Sequence, residues 1–174
     1  YLCNEISSLY CQQGKHDEAL LFLQKALDIG MQTCEKGSPT IKAIWRNIGL
    51  IFKAKRQFPD ALVCYRKVLD LSRDDFFETM TSLKEMSEIQ REQGQYEEAL
   101  ESLKEALDLA SRQNGEETTT VGEILNLIGH IYQEKQEFVA AFKYYYKALR
   151  IKKIEVGEEH EGIVGSYVNV GSIL

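Results

Sequence analysis

Four cysteines and three histidines are the side chains of this sequence with the widest chemical reach, as thiolate nucleophiles, metal ligands or general bases. Cys3, Cys11, Cys34 and Cys64 form no pair at the two-residue spacing of a zinc or redox motif, so neither zinc nor a disulfide framework is indicated. Three of them fall in helical patterns, where a free thiol behaves as a small hydrophobe, and all four read as reduced, structural cysteines. His16, His130 and His160 are scattered, and the chain contains no paired-His helix motif, no Gly-rich phosphate loop and no Gly-flanked Ser elbow. No catalytic residue, cofactor or metal site is therefore expected. Adjacent acids such as Glu97-Glu98 and Glu158-Glu159 read as solvated helix faces.

Composition points the same way. The 174 residues are 44% hydrophobic, enough for a sizeable core, and only two are proline. Leu, Ala, Glu, Lys and Gln dominate, which lose little freedom in a helix. The formal charge of -6 comes from 27 acids against 21 bases, with no Lys or Arg run to follow a phosphate backbone, so nucleic acid is not the expected partner. No apolar stretch approaches the roughly 20 residues of a membrane span, and no secretory signal opens the chain. The expectation is a soluble, cytoplasmic protein. Tyr1 and Leu174 both lie inside apolar helical patterns, which reads as a piece cut from a longer chain.

The elements that hold these residues emerge when the chain is laid against itself. Gln13-Gly14-Lys15-His16-Asp17-Glu18-Ala19-Leu20 matches Gln93-Gly94-Gln95-Tyr96-Glu97-Glu98-Ala99-Leu100, and related segments surround Ala61 and Ala141. The alanines stand 42, 38 and 42 residues apart. Other columns then align: small residues at Ser7, Gly49, Ser87, Gly129 and Gly171, and large ones at Leu23, Tyr65, Leu103 and Tyr145. His16 shares a column with Phe58, Tyr96 and Phe138, so it is expected to pack within a hairpin, whereas His160 is expected at an exposed helix start. An aromatic column of Tyr10, Phe52 and Tyr132 is broken by Gln90.

Each unit reads as two helices joined by a short turn. In the second, Ser38 caps a helix from about Pro39 to Lys55, Arg56-Gln57 turns, and a partner helix runs from Phe58 to Ser72. Similar starts are expected at Asp74-Asp75 and at Thr120, where Glu123 would complete a capping box. The small column implies close helix crossing, since Gly costs a helix about 1 kcal/mol relative to Ala and a compensating contact is needed.

These columns resemble the tetratricopeptide repeat, best in the copy Trp45, Ile48-Gly49, Phe52, Ala61, Tyr65 and Val68. The units exceed the usual 34 residues by four or eight, about one or two helical turns, which suggests lengthened helices. This long-repeat form is similar to that of kinesin light chains and nephrocystin-like proteins. The resemblance implies an all-α fold, an α-solenoid of antiparallel hairpins wound into a right-handed superhelix. It would comprise four complete units, about 1–35, 38–73, 74–113 and 117–157, plus the first helix of a fifth, 158–174, in a single domain.

The same resemblance implies a concave groove lined by the first helix of each unit. Its positions would be Asn4, Ser8 and Gln12; Arg46, Asn47, Leu50 and Lys53; Lys84, Glu88 and Arg91; Asn126, His130 and Gln133. The centre of that groove reads as net basic, so the expected ligand is a partner peptide or helix carrying acids. The Lys-Asn-Asn-Lys-Arg set of chaperone-tail binders is not matched: the corresponding residues are Asn4, Ser8, Asn47, Thr81 and Glu85, or, one unit on, Arg46, Leu50, Glu85, Glu123 and Leu127. Two alternatives stand beside peptide binding, a spacer or self-association module sticking through Ile163 to Val170, and the regulatory part of an attached enzyme.

Overall fold

The computed structural model describes residues 13–35, 37–72, 75–157 and 163–173. Expectations for Cys3, Asn4, Ser7, Ser8, Tyr10, Cys11, Gln12 and His160 lie outside the described residues. Eight helices are present among those described: α1 (His16–Thr33), α2 (Pro39–Ala54), α3 (Phe58–Leu71), α4 (Phe76–Glu92), α5 (Tyr96–Asn114), α6 (Thr119–Glu134), α7 (Phe138–Val156) and α8 (Val164–Gly171). They group into two compact units, divided between Ile89 and Gln90.

In the first unit, α2 starts as its sequence dictates: Ser38 Oγ accepts from the Ile41 amide at 3.4 Å, and Pro39, which lacks an N–H, takes the first helical position. Asp75 does the same for α4, accepting from the Glu78 amide at 3.2 Å. The Asp75 carboxyl also takes the ammonium of buried Lys42, and that lysine followed by the backbone amides holds it below the usual carboxylate range. Ala19, Leu23, Ile44 and Ile48 join α1 to α2 in one apolar cluster, and Ala61 and Tyr65 meet Met86 and Ile89 in a second.

The second unit repeats the plan with Ala99, Leu103 and Ala106 on α5 and Ala141, Tyr145 and Ala148 on α7, each almost entirely buried. One expected start is corrected here. The cap of α6 is Thr118 rather than Thr120, and it makes no side-chain capping bond, so the Thr120 and Glu123 box does not form. The chain enters α6 from an extended Thr118, which places both residues inside the helix.

The hairpin turns among the described residues share one backbone form. Gly14, Arg56, Gly94 and Gln136 all adopt left-handed backbone, with φ of 71°, 58°, 72° and 62°. The next amide reaches back five residues, as from Gln57 to the Phe52 carbonyl at 2.8 Å and from Glu137 to that of Tyr132 at 2.9 Å, closing the helix with the bond typical of a left-handed cap. Glycine suits that backbone; Arg56 and Gln136 accept its strain.

The close-crossing argument is met where both helices are present. A Cβ on Gly129 would lie 2.6 Å from the Tyr145 ring, and one on Gly49 3.1 Å from the Tyr65 ring, whereas Gly171 faces open space. The period is explained by the second helices: α3 has 14 residues against 18 in α1 and 19 in α5 and α7, while α2 and α6 both have 16. The 38-residue spacing therefore reflects one turn fewer in α3.

Candidate functional site

In the first unit the expected positions of α2 lie on one face with a graded exposure. Leu50 is exposed, while Arg46, Asn47 and Lys53 are half-buried. Their charges are occupied. Arg46 pairs with Glu78 at 2.8 Å, and Lys53 bridges Glu85, at 2.7 Å, and Glu88, all three acids coming from α4. Burial opposes the charge on Lys53, but the two carboxylates outweigh it and its pKa is raised. Lys84 is half-buried and takes part in interactions of its own.

This corrects the expectation of a net basic face. Glu78 and Glu85 stand opposite Arg46 and Lys53, so in this unit two bases, Arg46 and Lys53, meet three acids, Glu78, Glu85 and Glu88. The missed signal was present in the sequence. Glu78 follows Arg46 by 32 residues and Glu85 follows Lys53 by 32, so both acids stand at one fixed offset from the bases they meet.

In the second unit Arg91 pairs with Glu134. His130 and Gln133, one turn apart on α6, converge on Tyr145 of α7. The Tyr145 hydroxyl donates to Gln133 Oε1 at 2.7 Å and meets His130 Nδ1 at 2.8 Å, with the His130 and Tyr145 rings edge to face at 5.3 Å. With the phenol proton directed to Gln133, His130 Nδ1 carries a hydrogen and donates it, leaving Nε2 as the basic nitrogen. Burial, then the nearby Arg91 charge, lowers the His130 pKa below its ordinary value, and burial lifts Tyr145 to about 12. His130 is thus an exposed hydrogen-bonding residue whose ring edge rests on Tyr145.

Asn126 differs from the other expected positions. Its Oδ1 is buried without a hydrogen-bond partner among the described residues. It lines a cavity of about 290 Å³ between α6, α7 and α8, whose polar wall includes Ser166 and Asn169 of α8 and Lys152 and Glu155 of α7. The sequence places Asn126 on this face but points to neither Ser166 nor Asn169.

Gln90 is now explained. It is buried in the aromatic column and accepts a bond from Ser102 at 2.9 Å, whereas the equivalent pair in the next unit of the repeat is Tyr132 stacked on Tyr144 at 5.3 Å. The two positions change together. Cys64 is buried, its thiol pushed up to about 12 by burial and then by Asp60, and is inert. Cys34 is exposed at the end of α1, so the expectation of structural thiols fails there. Among the described residues no cluster of His, Cys, Asp and Glu could hold a metal, and no helix is long and apolar enough to cross a membrane.

Comparison with known proteins agrees with this architecture. A kinesin light chain-related protein 1 of Arabidopsis thaliana is 27% identical over 164 residues, 92% of this chain. The chain spans only 27% of that relative's length. Among solved structures, BtubC (BKLC) from P. vanneervenii superposes with a TM-score of 0.81 at 18% identity, covering 96% of this chain and 68% of that one. The apo form of RapI gives 0.84 at 13% identity over 98% of this chain and 46% of that one. The structural likenesses show an α-solenoid fold. The tetratricopeptide repeat model matches residues 2–74 and 78–154, and the chain belongs to the tetratricopeptide repeat family.

Proposed function

We propose that the chain is a non-enzymatic module that holds a peptide or helical segment of a partner protein against the first-helix faces of its repeats. Tetratricopeptide repeats in general mediate protein–protein interactions. The observation that carries the reading is the orphaned Oδ1 of Asn126 in its 290 Å³ cavity. A buried acceptor left unpaired costs about 1–3 kcal/mol, and a backbone N–H of an extended peptide is the donor that would recover it. Asn169 and Ser166 on the opposite wall offer further polar contacts.

Charge plays a smaller part than the residue types suggest. A carboxylate of the ligand reaching Arg46, Lys53 or Arg91 exchanges with Glu78, Glu85, Glu88 or Glu134, so acids on the partner add orientation and on-rate more than affinity. The test is fluorescence anisotropy with acidic and neutral peptides at two salt concentrations. Asn126→Ala with Asn169→Ala is expected to weaken binding of both sets, about tenfold. Lys84→Glu with Arg91→Glu is expected to affect only the acidic set and only at low salt. Binding untouched by either pair of substitutions overturns the assignment.

A second reading, self-association, is favoured by one feature. α8 exposes Val164, Tyr167 and Val168 on one side. Light scattering as a function of concentration would detect an oligomer, and its loss in Val164→Ser with Val168→Ser would assign it to α8.

A further inference from the structure

The unused positive charge of the second unit lies on α7, away from the first-helix face. Its outward stripe, at the 3, 4 and 7 spacings of one helix side, reads Val139, Lys143, Tyr146, Lys147, Arg150 and Ile154. All six are exposed, Val139 by 73% and Tyr146 by 57%. Phe142 and Tyr146 stack at 6.0 Å to form an aromatic ledge, and with Tyr144, Lys143 and Lys147 they line an apolar-floored depression of about 340 Å³. Lys143 and Lys147 have no carboxylate partner among the described residues, and Arg150 holds Glu117 at 3.2 Å with both side chains more than half exposed.

The repeat supplies an internal control. The same stripe on α5, 42 residues earlier, is Glu97, Glu101, Lys104, Glu105, Asp108 and Arg112, a solvated acidic face with no apolar side chain. On α1 and α3 it contains Asp28 and Asp70 where α7 has Arg150. The scaffold therefore does not require aromatic or basic residues there, and α7 alone combines them without one acid. A stripe that alternates apolar and cationic side chains is complementary to an amphipathic helix of acidic character. The acidic face of α5 on a second copy lacks the apolar residue needed to cover the ledge, which favours a different chain as occupant.

We propose that the outward face of α7 is a second docking surface, which takes an acidic amphipathic helix of a partner. One apolar side chain would lie over the Phe142 and Tyr146 rings, and carboxylates one turn away would meet Lys143, Lys147 and Arg150.

The probe is a fluorescein-labelled helical peptide of about four turns, with Leu at its centre and Glu at the flanking positions of one face, titrated into the intact chain. Saturable binding is expected, weakened about tenfold by Lys143→Glu with Lys147→Glu and severalfold by Val139→Ser with Tyr146→Ser. Asn126→Ala with Asn169→Ala is expected to leave it unchanged, which separates this surface from the first-helix face. Equal binding of a Leu→Gln probe would reduce the effect to unspecific charge attraction and overturn the proposal. So would self-association of the chain abolished by the same α7 variants, or preferential binding of anionic phospholipid vesicles that excludes the peptide. Circular dichroism of each variant confirms that these exposed substitutions leave the fold in place.

Discussion

The hairpins α2–α3 and α6–α7 lie 80 residues apart and share almost every structural device, yet they treat the same tyrosine differently. Both cross over a glycine, Gly49 or Gly129, and both turn through a non-glycine residue in left-handed backbone, Arg56 or Gln136. Both are tied to the helix before them by one repeated ion pair, Lys55 to Asp17 and Lys135 to Glu97, each at 2.6 Å. In the second hairpin the Tyr145 hydroxyl has two partners, His130 and Gln133. In the first, Leu50 and Lys53 occupy those two places, Lys53 is drawn to the acids of α4, and the buried Tyr65 hydroxyl has no partner among the described residues. One first helix directs its polar residues toward a neighbouring helix and the other directs them into its own hairpin. The first choice holds helices together; the second anchors a ring.

That difference predicts an asymmetric response to one added methyl group. In Gly129→Ala the Cβ meets ring carbons of Tyr145 at 2.6 Å, and two hydrogen bonds stop the ring from tilting aside. Overpacking of this kind costs about 1–3 kcal/mol, less the helix gain of about 1 kcal/mol from Gly to Ala, so a net loss of up to about 2 kcal/mol is expected. Gly49→Ala meets the unanchored Tyr65 ring at 3.1 Å and the Cys64 Cβ at 3.3 Å. There a small tilt suffices, and the expected change is within about 0.5 kcal/mol because the helix gain offsets the crowding. Urea unfolding of the two variants measures both, and equal losses would break the comparison.

Removing the hydroxyls tests the same contrast from the other side. Tyr145→Phe is expected to cost about 1 kcal/mol, the net value of a hydrogen bond plus the isolation of Gln133 Oε1. Tyr65→Phe is expected to be neutral or to stabilise by up to about 1 kcal/mol, since it deletes a buried polar atom that gains nothing. Thermal unfolding of the pair would reveal it. A loss of similar size in both would mean that Tyr65 has a partner after all.

Much of this was legible in the sequence because a repeat prints each contact several times. The alanine and large-residue columns gave the core, with Ala19, Ala61, Ala99 and Ala141 all fully buried, and Ser38-Pro39 gave the start of α2. Pairings of side chains were less legible. Arg46 and Lys53 looked like free cations because their partners sit on another helix 32 residues away, and a charge pattern read along one helix does not report what faces it. Thr120 with Glu123 matched a capping pattern, but the path of the chain into α6 selected Thr118. The aromatic stripe of α7 belongs to no column of the repeat, and its departure from the α5 pattern is the signal that marks it.

The smallest expected effect concerns proton uptake, and it exists in only one of the two hairpins. His130 is held below its ordinary pKa chiefly by burial and then by Arg91, with Glu134 opposing. Protonation at Nε2 therefore favours the unfolded chain, in which the imidazole returns to its usual value near 6.5. As pH falls through about 6.5 the unfolded state binds more protons than the folded one, so stability declines, and the decline levels off below the lowered folded value. Carboxylates titrate mostly below this window, which isolates the imidazole contribution. His130→Leu installs the residue that stands at Leu50 in the first hairpin and is expected to flatten the stability profile of the chain between about pH 7 and 5.5. The variant keeps the Gln133 bond to Tyr145, so its stability near pH 8 is expected to fall only modestly while its pH slope changes. An unchanged slope would mean that His130 titrates alike in both states, and the anchoring of Tyr145 would then rest on Gln133 alone.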